Sequence, residues 1–387
     1  MEDKVSSRRS IITWTLAFCA VTTGWPAGAE QPTSLRIKNE CKYPIWIQQD
    51  FKHPTNDPIV VPIAKNKTYD YHIPEAGLAS TRFWAKANCN QYGYDCAIGE
   101  SVGVESARAL GHQTVTAFDP DINSKFEATW GCKYTGAQAS KCAVNPSSTT
   151  TPKAKLDDWT YWDGSAVDGY TFAYDISVSG TGIDCRDQHT GKALPDPNVV
   201  CSGLKASDCP TAENLSTNGQ YNSINGVNVT SVNLELTAAS DGSKVIGCFG
   251  PCAKLTTGQR EGWRAKLGGL DPSSPQAKMY CCGGGVSSAA CSAGVAAKTK
   301  YRTAVQKTDK CDAYTYAYDD AKGLAQCKAS AKFLVTFCPG GNSLPLPPKR
   351  TDGNAVYCNP GTNPPQVCPG NVACPQCGST SCECPAS

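Results

Sequence analysis

The segment Phe333-Leu334-Val335-Thr336-Phe337-Cys338-Pro339 joins an apolar run to a cysteine, and it closes a series of sixteen cysteines that begins at Cys41. The run has the aromatic and β-branched composition of a buried strand. The series includes an adjacent pair, Cys281 and Cys282. Because so many thiols do not stay unpaired outside a reducing cytosol, the pattern predicts a secreted protein cross-linked by disulfide bonds.

The N-terminus predicts the same compartment. Basic residues precede the apolar stretch 11–21, and Ala27-Gly28-Ala29 follows it. These are the three parts of a secretory signal peptide, so we expect cleavage after residue 29. Cys19 then leaves with the signal, which reduces the 23 cysteines to an even number. No later segment has an apolar run of membrane length, and the formal net charge of +2 gives no electrostatic reason to expect a nucleic-acid or membrane partner.

The remaining chain has the sequence pattern of an all-β domain that is interrupted by one long, loop-rich excursion. Residues 34–183 contain short alternating apolar and polar runs between turn residues, as in a β-sandwich. From about 184 to 310 the chain is rich in Gly, Ser, Asn and Cys, and strand patterns return at Tyr314–Tyr318 and in the closing segment. We therefore expect one antiparallel β-sandwich domain over residues 30–339, with a disulfide-rich, loop-rich excursion.

Three weaker signals complete the organisation. One helix is expected at about Leu255–Leu267, weakened by two glycines. Residues 340–350 are rich in Gly and Pro and predict a linker. The tail 351–387 holds six cysteines and almost no aliphatic residues. Because it cannot build a hydrophobic core, we expect it to need disulfide bonds of its own.

Four motifs and the closing strand together resemble the thaumatin-like protein family. The resemblance covers roughly residues 34–339, and sixteen cysteines is also the family's usual number. The motifs are Ile37-Lys38-Asn39-Glu40-Cys41 with Trp46 following, Arg82-Phe83-Trp84-Ala85-Lys86, Ser165-Ala166-Val167-Asp168-Gly169-Tyr170, and Cys311-Asp312-Ala313-Tyr314-Thr315-Tyr316-Ala317-Tyr318-Asp319-Asp320. The resemblance implies a thaumatin-like antiparallel β-sandwich with disulfide-rich loop regions.

The resemblance also implies a disulfide pairing, because the family pairs its cysteines in a fixed order. Sequence alone does not fix connectivity. Carried onto this chain, the family order gives Cys41–Cys338, Cys89–Cys96, Cys132–Cys142, Cys185–Cys327, Cys201–Cys311, Cys209–Cys248, Cys252–Cys281 and Cys282–Cys291.

The family carries one basic and four acidic residues in a cleft between its sandwich and its excursion. By motif these positions fall on Arg82, Glu127, Asp163, Asp168 and Asp319. Crowded carboxylates raise one another's pKa values, and an arginine stabilises an ionised partner. One protonated and one ionised carboxyl could hydrolyse a glycosidic bond, with Glu127 as general acid, Asp163 or Asp168 as base or nucleophile, and Arg82 as charge partner. The same cleft could instead bind sugar hydroxyls without cleaving them.

Aromatic residues flank the predicted aspartates. Trp162 and Tyr170, with Trp159 and Tyr161 nearby, are candidates for stacking on sugar rings in a substrate-binding role. Packing in the core is the other fate open to aromatic residues in strands. The histidines show no metal-ligand spacing, so we expect neither a metal nor a cofactor.

The function that this resemblance implies is recognition of β-1,3-glucan in cell walls by a secreted, monomeric defence or wall-remodelling protein, with or without slow endo-hydrolysis. One alternative is a true endo-β-1,3-glucanase that uses Glu127 with Asp163 or Asp168. Another is a defence protein that permeabilises membranes or inhibits an enzyme. Three sequons, beginning at Asn66, Asn214 and Asn228, permit N-glycosylation in a eukaryotic source.

Overall fold

The computed structural model describes residues 34–50, 53–89, 93, 96–99, 122–180, 183–238, 242–257, 267–307, 311–319 and 324–348, with the backbone of 356–358 and 366–368. The chain divides into Met1–Pro32 and Thr33–Ser387. The predicted signal peptide, residues 1–29, lies outside the described residues, and the description below concerns the second unit.

The described part is built mainly of short strands. In chain order they are β1 (Leu35–Asn39), β2 (Ile45–Gln49), β3 (Val60–Ile63), β4 (Thr68–Tyr71), β5 (Leu78–Ala87), β6 (Lys125–Trp130), β7 (Trp159–Ser165), β8 (Gly169–Tyr170), β9 (Tyr174–Ser179), β10 (Cys185–Asp187), β11 (Val199–Cys201), β12 (Ser223–Ile224), β13 (Val227–Asn228), β14 (Glu235–Thr237), β15 (Val245–Phe249), β16 (Ala325–Lys328), β17 (Lys332–Phe337), β18 (Val356–Cys358) and β19 (Gln366–Cys368).

Two large sheets carry most of these strands. One has five strands in the order β11-β9-β17-β1-β4, and the other has seven in the order β10-β16-β7-β6-β5-β2-β3. All their pairings are antiparallel except that of β1 with β17, which run parallel at the centre of the five-stranded sheet. The last strand of the sandwich, β17, therefore lies beside the first strand, β1. The disulfide Cys41–Cys338 links the chain just beyond the ends of these two strands.

Aromatic rings from the two sheets meet in the core between them. Phe126, Trp130 and Trp162 lie on the seven-stranded sheet, and their ring centroids are 5.6, 5.3 and 5.3 Å from that of Phe333 on β17. All four side chains are buried. Such ring pairs stabilise a core beyond the area that they bury. The two sheets are the layers of a sandwich, and the predicted all-β class is confirmed.

The excursion between β10 and β16 contains short helices that the sequence patterns did not predict. They are α1 (Pro251–Thr256), α2 (Lys278–Cys281), α3 (Ser288–Ala293) and α4 (Lys300–Val305). Helix α1 begins before the helix expected at about Leu255–Leu267 and ends at Thr256, and residues 258–266 lie outside the described residues. Helices this short are marginal on their own. Side-chain caps from Ser287 and Thr299 and the bridge Cys252–Cys281 stabilise them here.

Eight disulfides cross-link the described residues, and they join the same cysteines as the pairing that the resemblance implies. They are Cys41–Cys338, Cys89–Cys96, Cys132–Cys142, Cys185–Cys327, Cys201–Cys311, Cys209–Cys248, Cys252–Cys281 and Cys282–Cys291. Covalent closure of long loops restricts the unfolded chain.

The segment that follows the last of these cysteines lies against the domain. The hydroxyl of Tyr43 donates to the carbonyl oxygen of Leu344 (2.9 Å), and the side-chain amide of Asn88 donates to that of Pro347 (2.8 Å). We call residues 340–348 the strap. Beyond it, β18 and β19 form an antiparallel pair, and the rest of the predicted tail lies outside the described residues. No helix among the described residues is long and apolar enough to cross a membrane.

Candidate functional site

Three of the predicted site residues lie side by side on neighbouring strands. In the strand register Arg82 on β5 is opposite Glu127 on β6, and Glu127 is opposite Asp163 on β7. The residues that precede and follow each of them along its strand are buried. Because successive side chains of a strand point to opposite faces, the three polar side chains share the outer face of the seven-stranded sheet. We call Arg82, Glu127 and Asp163 the charged row.

An ion pair joins the first two members of the charged row. The Nε of Arg82 lies 2.6 Å from Oε1 of Glu127, and their side chains are 50% and 25% exposed. An ion pair this open to water contributes little to stability. Its consequence is orientation, since the guanidinium fixes the carboxylate of Glu127 beside Asp163.

Asp163 is in a different environment. Its residue is half-buried, while its Oδ1 is enclosed and has no hydrogen-bond partner among the described residues. Burial, and then the neighbouring carboxylate of Glu127, raise the pKa of Asp163 well above its usual value, against the opposing effect of Arg82 and Lys125. The charged row thus places a carboxyl whose pKa is raised directly beside one that is paired with an arginine.

The charged row lines a pocket of about 240 Å³ on the outer face of the sheet. The remaining lining comes from Ser80, Thr81, Ala128, Thr129, Tyr161, Trp162 and Leu324. Tyr161 precedes Asp163 by two residues on β7, so it shares that face. Its hydroxyl donates to Oδ2 of Asp157 at 2.8 Å, which fixes the ring at the edge of the pocket. Hydroxyls, charges and one held aromatic ring therefore surround the same space.

Asp168 forms an ion pair with Lys125 of β6. Its Oδ2 is 2.5 Å from Nζ of Lys125, a lysine whose side chain is only 2% exposed. Asp168 is not among the residues that line the pocket. The structure therefore pairs Asp168 with a buried lysine, and the place of Asp168 in one cluster with Arg82 stays a prediction.

Asp319 lies in a separate buried network. Its carboxylate accepts hydrogen bonds from Arg302 (3.2 Å), Gln306 (2.6 Å) and the hydroxyl of Thr315 (2.7 Å). Its side chain is fully buried. Arg302 of α4 therefore pairs with Asp319, and a role for Asp319 in the predicted cleft stays a prediction.

The predicted stacking residues Trp162 and Tyr170 belong to the core. Trp162 is 1% exposed, and its indole Nε1 donates to Sγ of Cys327. Tyr170 is also buried; its ring stacks on Tyr301 and its hydroxyl donates to the carbonyl oxygen of Lys205. Neither presents a ring face to solvent. The alternation along β7 places Tyr161, and not Trp162, on the same face as Asp163. Counting two residues back along the strand from Asp163 would have identified Tyr161 from the sequence.

The next outward position on β7, Trp159, is covered by cations. Nζ of Lys328 lies 4.0 Å from the centroid of its ring, and the guanidinium of Arg186 lies 5.3 Å from it. Both cations are also paired with aspartates. A sugar would have to displace a cation to stack there, so Tyr161 is the better stacking surface.

Comparison with known proteins gives a consistent family. Thaumatin-like protein 2 of Prunus persica is 21% identical over 81% of this chain and 93% of its own length. A thaumatin-like protein of Arabidopsis thaliana is 24% identical over 78% of this chain and 88% of its own length. The predicted resemblance to thaumatin-like proteins is confirmed. A pathogenesis-related thaumatin-like protein of Cryptomeria japonica is also similar, with 28% identity over 48% of this chain and 51% of its own length.

Two further comparisons add no functional detail to the thaumatin-like resemblance. No protein-family model matches the chain. The solved structure of a thaumatin-like xylanase inhibitor aligns with 79% of this chain and 99% of its own, at 9% identity and a TM-score of 0.26. A likeness this weak supports no inference about what the chain binds.

Proposed function

We propose that the chain is a secreted thaumatin-like protein that binds β-1,3-glucan, or a related neutral polysaccharide of cell walls, in the pocket at the charged row. The observation that carries the proposal is the cross-strand register that puts Arg82, Glu127 and Asp163 beside a fixed Tyr161. The glucan itself comes from the family resemblance. The pathogenesis-related names of some relatives support a role in defence, and the eight disulfides suit an extracellular protein.

The pocket has the chemistry that sugar recognition needs. Charged acceptors and donors can bond several hydroxyls at once, and bonds to charged groups are stronger than neutral ones. The ring of Tyr161 offers an apolar face beside them, and it loses little entropy on binding because Asp157 already holds its hydroxyl. At about 240 Å³ the pocket is smaller than most ligand sites, so it suits one or two sugar units of a longer chain.

Retention on insoluble β-1,3-glucan tests binding. We expect Tyr161→Ala to weaken retention about fivefold or more, since an aromatic stacking contact is worth about 1 kcal/mol or more. Tyr221→Ala is the matched control, because Tyr221 is a partly exposed tyrosine that does not line the pocket. Equal retention of the two variants, or no retention of the wild-type protein, would contradict the proposal.

Slow hydrolysis is the second candidate, and the environment of Asp163 favours it. A glycosidase needs one protonated and one ionised carboxyl. We propose that Asp163, whose pKa is raised by burial and by Glu127, is the general acid, and that Glu127 is the base or nucleophile. These roles are the reverse of those that the sequence motifs suggest. Residues directly opposite on neighbouring strands have Cβ atoms about 5 Å apart, which favours the short carboxyl separation of retaining enzymes.

Release of reducing sugar from a linear β-1,3-glucan tests this candidate. We expect both Asp163→Asn and Glu127→Gln to abolish release while retention on insoluble glucan persists. Asp184→Asn is the control, because Asp184 is a partly exposed aspartate that pairs with Arg186 and does not line the pocket. Undiminished release by Asp163→Asn would exclude the proposed acid, whereas glucan retention without any release would leave binding as the whole function.

A further inference from the structure

A second pocket, of about 380 Å³, lies between the strap, the start of β9 and the excursion. We call it the strap pocket. Its inner lining includes the buried residues Thr171 and Leu204, and its outer lining includes the exposed Ser207. Strap residues Asn342–Pro345 complete the wall. Its volume falls within the range of small-ligand sites and exceeds that of the pocket at the charged row.

Thr171 gives the strap pocket an unsatisfied hydrogen-bonding group. The residue is 2% exposed, and its Oγ1 is buried with no hydrogen-bond partner among the described residues. A buried hydroxyl without a partner costs about 1–3 kcal/mol. A ligand hydroxyl that reached this atom would relieve that cost, so the lining itself favours a polar occupant.

The charges around the strap pocket cancel. Lys205 and Glu235 both line it, and they supply one positive and one negative charge. Glu235 is also hydrogen-bonded to the side-chain amide of Asn233 at 3.0 Å. A lining with no net charge gives no advantage to an anion or a cation. The electrostatics therefore favour a neutral ligand.

The strap keeps its side of the pocket in a fixed position. The side chain of Asn342 donates to the carbonyl oxygen of Ser202 (3.1 Å), and the hydroxyl of Ser343 accepts from the backbone N–H of Lys42 (2.9 Å). Together with the bond from Tyr43 to Leu344, these contacts hold the segment at both its polar and its apolar residues. A preformed wall lowers the cost of ordering a ligand site.

We propose that the strap pocket is a second carbohydrate site, which binds a single neutral pyranose through the hydroxyl of Thr171 and the apolar wall formed by Leu204, Leu344 and Pro345. A pyranose combines several hydroxyls with apolar C–H faces, which matches a lining of hydroxyls and an amide beside aliphatic groups. This site is separate from the charged row, and no residue lines both pockets. The inference stands whether or not the charged row binds glucan.

Titration of the ¹⁵N-labelled full chain with methyl β-D-glucopyranoside tests the proposal. We expect saturable shifts in the amide signals of residues 204–207 and 342–344. Thr171→Val removes the hydroxyl with little change of shape and breaks no hydrogen bond of that hydroxyl in the protein. We expect it to raise the dissociation constant at least about tenfold, the equivalent of one good hydrogen bond. Thr211→Val, which lies outside the pocket, should bind like the wild-type protein.

Three outcomes would overturn the proposal. They are no saturable shift with the glucoside, equal affinity of Thr171→Val and the wild-type protein, and saturable shifts with the zwitterion glycylglycine in place of the glucoside. Tyr161→Ala separates the two sites, because it weakens retention on insoluble glucan but leaves the glucoside shifts at the strap pocket unchanged. A failure at one pocket is therefore distinguishable from a failure at the other.

Discussion

Removal of the bridge Cys41–Cys338 is the sharpest test of what holds the sandwich together. The two cysteines are 297 residues apart in sequence, and both are fully buried beside the parallel pair β1 and β17. The bridge Cys185–Cys327 shortens the remaining closed path, which runs through about 155 residues, and loop-closure entropy at that length is worth about 5 kcal/mol. We expect Cys41→Ala with Cys338→Ala to lower the free energy of unfolding by about this amount.

The control is the pair Cys89→Ala with Cys96→Ala. That bridge spans only 7 residues of sequence, and the same relation gives it about 2 kcal/mol. Urea unfolding under oxidising conditions, followed by tryptophan fluorescence, measures both values. The slope of free energy against urea should also rise in the long-loop variant, because its unfolded chain exposes more surface.

The difference in unfolding free energy lost by these two double variants tests the loop-closure explanation. If the long-loop variant lost no more stability than the short-loop control, restriction of the unfolded chain would not explain the role of the bridge. Strand pairing between β1 and β17, which has five residue pairs in register, would then be sufficient to hold the ends together.

Three further perturbations separate the roles of the predicted site residues. Burial and Glu127 raise the folded-state pKa of Asp163 above its unfolded value. Asp163 therefore lowers the free energy of unfolding increasingly as the pH rises from about 4 through the folded pKa. Asp163→Asn should raise the urea midpoint across that pH window and leave it unchanged below the window. Asp319→Ala should cost about 3 kcal/mol in the same assay, because it leaves Arg302, whose side chain is 30% exposed, without its buried partner; a loss below about 1 kcal/mol would contradict a structural role. Trp162→Ala should cost about 3–5 kcal/mol as a core cavity, and wild-type stability with weakened glucan retention would instead restore it as a stacking residue.

The fold was predictable from the sequence where local pattern and covalent chemistry agree. The run Phe333–Phe337 and the alternation of Leu35 and Ile37 identified strands that the structure pairs directly. The short helices of the excursion were not predictable, because caps and bridges stabilise them and their own periodicity does not. Tertiary context decides such elements, and a single sequence carries little of it.

The site was predictable only in part, and the reason is electrostatic. A motif shows that a carboxylate is present, but it does not show which cation will neutralise it. Lys125 precedes Asp168 by 43 residues, and it pairs with that carboxylate. Arg302 pairs with Asp319 in the same way. A buried charge needs a nearby charge of opposite sign, so Lys125 and Arg302 each fix the position of one predicted acid.

The charged row shows what remains after those pairings. Arg82 forms an ion pair with Glu127, and Oδ1 of Asp163 has no hydrogen-bond partner among the described residues. Burial and the neighbouring Glu127 raise the pKa of Asp163, because ionisation would place its charge in a poorly hydrated position beside another carboxylate. The charged row therefore combines one arginine with two neighbouring carboxyl groups in different environments. The same asymmetry suits a sugar site, since the row offers both a hydrogen-bond donor and an acceptor to a ligand hydroxyl.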